Sequence, residues 1–166
     1  PRFEALIQEH PRGRYLHYGR GLVLAQQGSA EALDEYRKEI ELFPDDVLAR
    51  VELAFGLLAR GREAEAIPCY EEALSLGLED PLRQQALLGL GSSYRNVLRH
   101  TDAIALLRDA AAEYPDNQAL QVFLSLALWS GGREREAMQA LGRVTGEGAD
   151  LRGYGRAVRL ALDQLA

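Results

Sequence analysis

The chain's only cysteine, Cys69, stands between Pro68 and Tyr70 in the stretch GREAEAIPCYEEAL, Gly61 to Leu74. A thiol becomes a nucleophile when positive charge or a helix start lowers its pKa. Glu71 and Glu72 follow Cys69, and its own turn carries no basic residue, so an unreactive thiol is expected. One cysteine also forms no internal disulfide. His10, His17 and His100 stand apart from one another, and no C-x2-C or H-E-x-x-H spacing occurs. GLGSSY, Gly89 to Tyr94, has two of the glycines of a nucleotide loop but lacks the third. The expectation is therefore a protein that is not an enzyme, with no catalytic residue, no metal and no cofactor.

Charge narrows the partners further. The net charge is −6, which opposes binding to phosphate backbones, where neutralisation by Lys and Arg supplies most of the affinity. RGRYLHYGRG, Arg12 to Gly21, interleaves three arginines with two tyrosines, and reads as a helix start with solvated cations. No apolar run reaches the roughly 20 residues that span a bilayer. The first residues, PRFEALIQEHPRG, alternate charge with apolar side chains and lack the apolar core of a signal peptide. A cytoplasmic protein is expected, with no nucleic acid and no membrane as partner. Lys38 is the single lysine beside eighteen arginines, a bias that fits a GC-rich bacterial genome.

The elements that carry these residues repeat along the chain. Ala32, Ala66, Ala103 and Ala137 are spaced by 34, 37 and 34 residues, each followed four positions later by Tyr36, Tyr70, Leu107 or Leu141. Upstream, the small residues Gly21, Ala54, Gly91 and Ser125 keep step, with Leu24, Leu57, Tyr94 and Leu128 three positions on. Leu87, Leu90, Gly91 and Tyr94 share one helical face, as do Ala103, Leu106, Leu107 and Ala110. Each unit therefore predicts a helix hairpin in which small residues let two helices approach closely. FPDD at 43–46 and YPDN at 114–117 end helices and offer Asp as the next N-cap. Asp80-Pro81 predicts an Asp cap with Pro at the first helical position. Pro68 is expected near a first turn, where its missing N–H costs little.

On these residues the sequence resembles the tetratricopeptide repeat family, whose signature is W-x2-L-G-x2-Y…A-x3-F…P over 34 residues. The third unit matches best, through Leu87, Leu90-Gly91, Tyr94, Ala103, Leu107 and Pro115. The first unit has His17, Gly21, Leu24, Ala32, Tyr36 and Pro44, with Arg20 in place of leucine and a helix-joining turn one residue short. The second has Arg50, Leu53-Ala54, Leu57, Ala66 and Tyr70, with its proline displaced to Pro81. The fourth has Gln121, Leu124-Ser125, Leu128, Ala137 and Leu141, and no closing proline. No unit has the tryptophan. The resemblance implies an all-α fold, a right-handed α-solenoid of antiparallel helix hairpins with about ten helices. A single domain would comprise a half repeat at 1–11 and repeats at 12–45, 46–80, 81–115 and 116–148. A C-terminal capping helix at 149–166, carrying Leu151, Tyr154-Gly155 and Val158, would cover the open end.

The resemblance also implies a concave face lined by the first helix of each unit, and a function as a non-catalytic scaffold that binds a protein or peptide there. Opposite the packing face, the first helices present Tyr15, Tyr18, Leu22, Ala25; Leu48, Val51, Phe55, Leu58; Gln85, Leu88, Ser92, Arg95; and Ala119, Val122, Leu126, Trp129. About half of these are expected to pack between neighbouring helices. The remainder would form an apolar groove, interrupted by Glu52, Ser92, Arg95 and Asn96, suited to an amphipathic helix. The anchors expected are Tyr18, Phe55, Arg95 and Trp129. The clamp with which some family members hold acidic chaperone C-termini is missing, because Tyr18, Leu22, Glu52, Gln85 and Gly89 occupy its positions. The alternative is a self-associating structural protein whose apolar surface forms a homodimer.

Overall fold

The computed structural model describes residues 2–144. Among them the chain is helical: α1 (Arg2–Glu9), α2 (Leu16–Gln26), α3 (Glu31–Leu42), α4 (Val47–Leu58), α5 (Glu63–Ser75), α6 (Leu82–Asn96), α7 (His100–Glu113), α8 (Gln118–Ser130) and α9 (Glu134–Gly142). The expected capping helix, with Leu151, Tyr154, Gly155 and Val158, lies outside the described residues. Contacts gather into two units, Pro1–Ala86 and Leu87–Ala166, which divide within α6. In the first unit α1 packs on α2, α2 on α3, α3 on α4 and α4 on α5. In the second, α7 packs on α8 and α8 on α9.

The repeated small residues do what their spacing implies. A Cβ built on Gly21 would meet the Tyr36 ring at 2.5 Å, so α2 and α3 are in direct backbone-to-ring contact there. Gly91 faces Leu107 in the same way, with three side-chain atoms within 2.8 Å of that position. Ala32, Ala66, Ala103 and Ala137 are all buried.

One turn closes every hairpin. Gly28, Gly61, Leu98 and Gly132 are left-handed, with φ of 71°, 67°, 64° and 73°. The next amide in each case donates five residues back: Ser29 to Leu24 at 3.0 Å, Arg62 to Leu57 at 3.0 Å, Arg99 to Tyr94 at 2.8 Å and Arg133 to Leu128 at 2.9 Å. The acceptors are the residues that recur at the Leu/Tyr position of the sequence pattern, which therefore marks a C-terminal helix cap as well as a packing side chain. The short first turn removes its residue after Gly28, so Ala32 is the second residue of α3 whereas Ala66 is the fourth of α5. The arginines that follow three of these turns each hold an acid three positions on: Arg62 to Glu65 at 2.7 Å, Arg99 to Asp102 at 2.6 Å and Arg133 to Glu136 at 2.7 Å.

Leu98 is the exception among the turn residues. A leucine in the left-handed region clashes with its own carbonyl at a cost of about 1–2 kcal/mol, and its side chain is 76% exposed, so packing returns little. Leu98→Gly removes the clash but loosens the unfolded chain, and is expected to stabilise by about 0.5–1 kcal/mol. Urea unfolding at fixed m-value reads the difference, and a less stable variant refutes the account.

Three local expectations are corrected. Asp46 does cap α4, accepting from the Ala49 amide at 2.9 Å. At the second site, however, the cap of α8 is Asn117, which abuts the first helical residue and accepts from Ala119 at 3.1 Å, rather than Asp116. Asp80 and Pro81 both precede α6, which begins at Leu82 rather than at the proline, with the Arg83 amide donating to the Glu79 carbonyl at 2.9 Å. Pro68 is the sixth residue of α5, beyond the four amides that lack intrahelical partners, so it deprives the Ala64 carbonyl of its helical donor. α5 ends on left-handed Gly77, with Leu78 donating to Ala73 at 3.2 Å. That glycine stop replaces the proline stop of the first and third units and explains the displaced Pro81 and the longer second interval.

Candidate functional site

The start of α2 is built by an acid from its neighbour. Tyr15 precedes the helix in the left-handed region with φ 68°, and its side chain caps nothing. Instead Glu39 of α3, fully buried, accepts from the Tyr15 amide at 2.5 Å and the Tyr18 amide at 3.2 Å. A carboxylate at the positive end of the helix dipole is favourable there. This orients Tyr15 and Tyr18, the first two residues of the expected concave face. Arg14 bonds Asp45 at 2.9 Å and lies over the Tyr15 and Phe43 rings, 5.4 and 5.2 Å from their centroids.

A second buried acid, Glu35, organises the opposite face of α2. Its carboxylate pairs with His17 Nδ1 at 2.7 Å, Lys38 Nζ at 3.0 Å and Arg20 at 3.4 Å. Arg14 and Arg20, two of the three arginines in the basic stretch, are thus engaged by internal acids. Burial alone would raise the Glu35 pKa, but the hydrogen bonds from His17 and Lys38, with the Arg20 charge, outweigh it and hold it below its ordinary value. A carboxyl lowered by folding stabilises above its unfolded pKa, and that contribution is lost as pH falls through the lowered value. The stability gap between wild type and Glu35→Gln is therefore expected to be widest near neutral pH and to close on acidification below the ordinary value of 4.5. Denaturant titrations across that range measure it, and a gap independent of pH contradicts the pairing.

The position given to tryptophan in the repeat signature is handled differently in each unit. His17 pairs with Glu35, and Arg50 Nε lies 3.4 Å from Glu72 while its Nη2 donates to the Pro44 carbonyl at 2.6 Å. Leu87 is simply buried. Gln121 is buried with Oε1 unpartnered and lines a cleft of about 480 Å³ with Ala111, Pro115, Gln118 and Arg143.

On the expected concave rows of the first unit, Tyr15 is exposed, and Tyr18, Leu22, Glu52 and Phe55 are half-buried. Tyr18 lies 6.2 Å from Tyr36, ring centre to ring centre, and Phe55 meets Tyr70 edge-on at 5.6 Å. Burial pushes the Glu52 carboxyl up, and no described residue bonds or pairs with it. In the second unit, Ser92 and Arg95 are half-buried, Asn96 is exposed, and Trp129 is 36% exposed. Arg95 donates to Asn96 Oδ1 at 3.1 Å, and burial lowers its pKa. Leu126 is 6% exposed and belongs to the core of α8, so it presents little surface. Val51, Leu88, Ala119 and Val122 are likewise buried. Sequence periodicity missed Tyr36, Tyr70 and Asp46 as neighbours of this surface, because they lie on other segments.

Cys69 is half-buried with Sγ 3.5 Å from the Glu65 carbonyl, and burial followed by the Glu72 charge raises its pKa, which disfavours the thiolate. Among the described residues no group of His, Cys, Asp or Glu is placed to hold a metal ion. None of their helices is long and apolar enough to cross a membrane.

Antiparallel helix pairs, each closed by one left-handed turn, with small residues packed against large side chains as Gly21 is on Tyr36 and Gly91 on Leu107, define a helical-repeat protein. The chain belongs to the tetratricopeptide repeat family: models described as tetratrico peptide repeat and tetratricopeptide repeat match residues 48–165 and 1–47. This is a family of non-catalytic modules that bind proteins or peptides in a groove. Among solved structures, YrrB, a TPR protein with an unusual peptide-binding site, superposes with a TM-score of 0.75 at 21% identity, over 93% of this chain and 77% of that one. MamA superposes with a TM-score of 0.79 at 17% identity, over 92% of this chain and 82% of that one. At these identities the likeness is one of fold. No curated protein matches the chain.

Proposed function

We propose that this protein is a non-catalytic scaffold that holds a peptide or helix of a partner protein on its first-helix rows, anchored by Tyr18, Phe55, Arg95 and Trp129. The observation that carries this is the half-exposure of Tyr18, Phe55 and Trp129 on helices that are already packed on their other faces. Large aromatic groups left partly in water in this way are the residues that dominate binding energy at interfaces. Arg95 would take an acidic or carbonyl group, since among the described residues its side chain bonds only the adjacent Asn96. Ser92, Asn96 and the exposed Tyr15 would form the polar rim. The peptide-binding site of YrrB supports the reading by fold, and the single thiol and the sequence pattern favour a cytoplasmic setting.

The test is the affinity of a partner recovered from lysate and then purified. Phe55→Ala with Trp129→Ala is expected to weaken binding at least about 30-fold, since truncating such anchors costs about 2 kcal/mol or more. Equal affinity for wild type and double variant would refute the site. A second copy of the chain is the alternative occupant. Light scattering at high concentration separates the two, because a tight dimer that loses the partner supports self-association instead.

A further inference from the structure

Within the first unit, polar atoms without partners collect around Tyr18. Glu52 on α4 is half-buried and has no hydrogen-bond or ion-pair partner among the described residues. Tyr36 is 1% exposed and Tyr70 is 0% exposed, and neither phenol oxygen has a partner. Asp46 spends one oxygen on capping α4, and its other oxygen, also buried, is unpartnered. The carboxylate of Glu52 is close enough to all three tyrosines to act on their phenols, after burial itself, and Asp46 acts in the same sense on Tyr18. Phe55 stands one helical turn beyond Glu52 and packs on Tyr70. Of these groups Glu52, Tyr18 and Phe55 are part-exposed and open to a partner, whereas Tyr36, Tyr70 and the second Asp46 oxygen are closed to solvent. Negative ring faces and a partly desolvated carboxylate are the groups that recognise a cation.

We propose that Glu52, with the half-buried rings of Tyr18 and Phe55, is a recognition site for one cationic side chain, arginine or lysine, of a peptide partner. The proposal rests on the peptide-binding reading above and adds its charge. A guanidinium or ammonium brings the donors that the Glu52 carboxylate lacks, and its aliphatic stem suits the Tyr18 and Phe55 rings. Removing the carboxylate charge should then help the free protein and harm recognition, as residues kept for binding do.

Full-length protein labelled with nitrogen-15 tests this with the capped pentapeptides Ala-Leu-Arg-Leu-Ala and Ala-Leu-Lys-Leu-Ala, and counterparts carrying norleucine or glutamate at the centre. The arginine and lysine peptides are expected to shift amides around Tyr18 and Glu52 and to bind about tenfold tighter than the norleucine peptide, with glutamate weakest. Glu52→Gln should reduce the basic peptides to the norleucine level and leave the norleucine peptide unchanged, while raising the melting temperature. Norleucine binding as well as arginine would overturn the cation site and leave the groove standing. Absence of binding by the basic peptides, unchanged arginine affinity in Glu52→Gln, or a lower melting temperature in that variant would also overturn it. The groove itself fails separately, through the Phe55 and Trp129 experiment.

Discussion

Gly91→Val is expected to destabilise the second unit by about 3 kcal/mol, at the upper end of overpacking costs. A Cβ at this position would stand 2.6, 2.7 and 2.8 Å from three atoms of the Leu107 side chain. Real Cβ contacts are not made at that range, so either α6 moves from α7 or Leu107 leaves its rotamer. Leu107 is fully buried and has nowhere to turn. Rescue gives the experiment its specificity. In a Leu107→Ala background the space is open, so Gly91→Val should cost much less, and the two substitutions should couple by more than about 1 kcal/mol. Additive losses in urea unfolding would mean that the two side chains are not in contact. Ala54 and Ser125, at the same register position in other units, already carry a Cβ, so the repeat pattern does not forbid one there in general.

Glu39→Ala is expected to cost about 2 kcal/mol, because two part-buried amides lose their acceptor and an unsatisfied donor costs about 1–3 kcal/mol when fully buried, less when water reaches it. The amides belong to Tyr15 and Tyr18, at the start of α2, which has no capping side chain of its own. Glu39→Gln keeps one oxygen in place and should lose roughly half as much. Unfolding curves measure the loss, and hydrogen exchange locates it: the Tyr18 amide should lose protection before the amides of α4 do. A uniform loss of protection across the unit would instead indicate a packing defect. Because Tyr18 is a proposed anchor, Glu39→Ala should also weaken partner binding, without touching any binding side chain.

The two residues differ in how far they can be inferred from the chain alone. Gly91 is legible, since its interval with Gly21, Ala54 and Ser125 marks a close helix approach. The identity of the side chain leaning on it is half legible, through the matching interval of Ala103 and Leu107. Glu39 is not legible. Helical periodicity puts it on the packing face with Ala32, Glu35 and Tyr36, but does not say what an acid meets there. Its role depends on the amides of a helix start more than twenty residues earlier. Glu35, four residues before, is hidden in the same way, although its His17 partner was already conspicuous as the occupant of the tryptophan position.

The helix stops divide along a similar line. Gly28, Gly61 and Gly132 announce their turns, because only glycine is comfortable in that region. Leu98 does not, and its turn is recognised only from its seven-residue distance to Gly91, the same distance that separates Gly28 from Gly21. Asn117 rather than Asp116 caps α8 because capping depends on adjacency to the first helical amide, and a one-residue difference in the start of a helix is below what periodicity resolves.

The sequence by itself determined the family, the hairpin repeat, the register of its small and large residues, and the first-helix rows on which the proposed binding residues lie. These follow from spacing along one chain, and a helix of fixed pitch turns spacing into direction. Only the tertiary structure decided which acids are structural and which is left over. Glu39 meets the amides of α2, Glu35 meets His17, Arg20 and Lys38, and Glu52 is half-buried without a hydrogen bond or counter-ion among the described residues. Pitch states where a carboxylate points from its own axis. What waits for it across the gap is supplied by another helix, and it is that second helix which makes one glutamate a cap and another an ion-pair hub, and leaves Glu52 for the proposed recognition role.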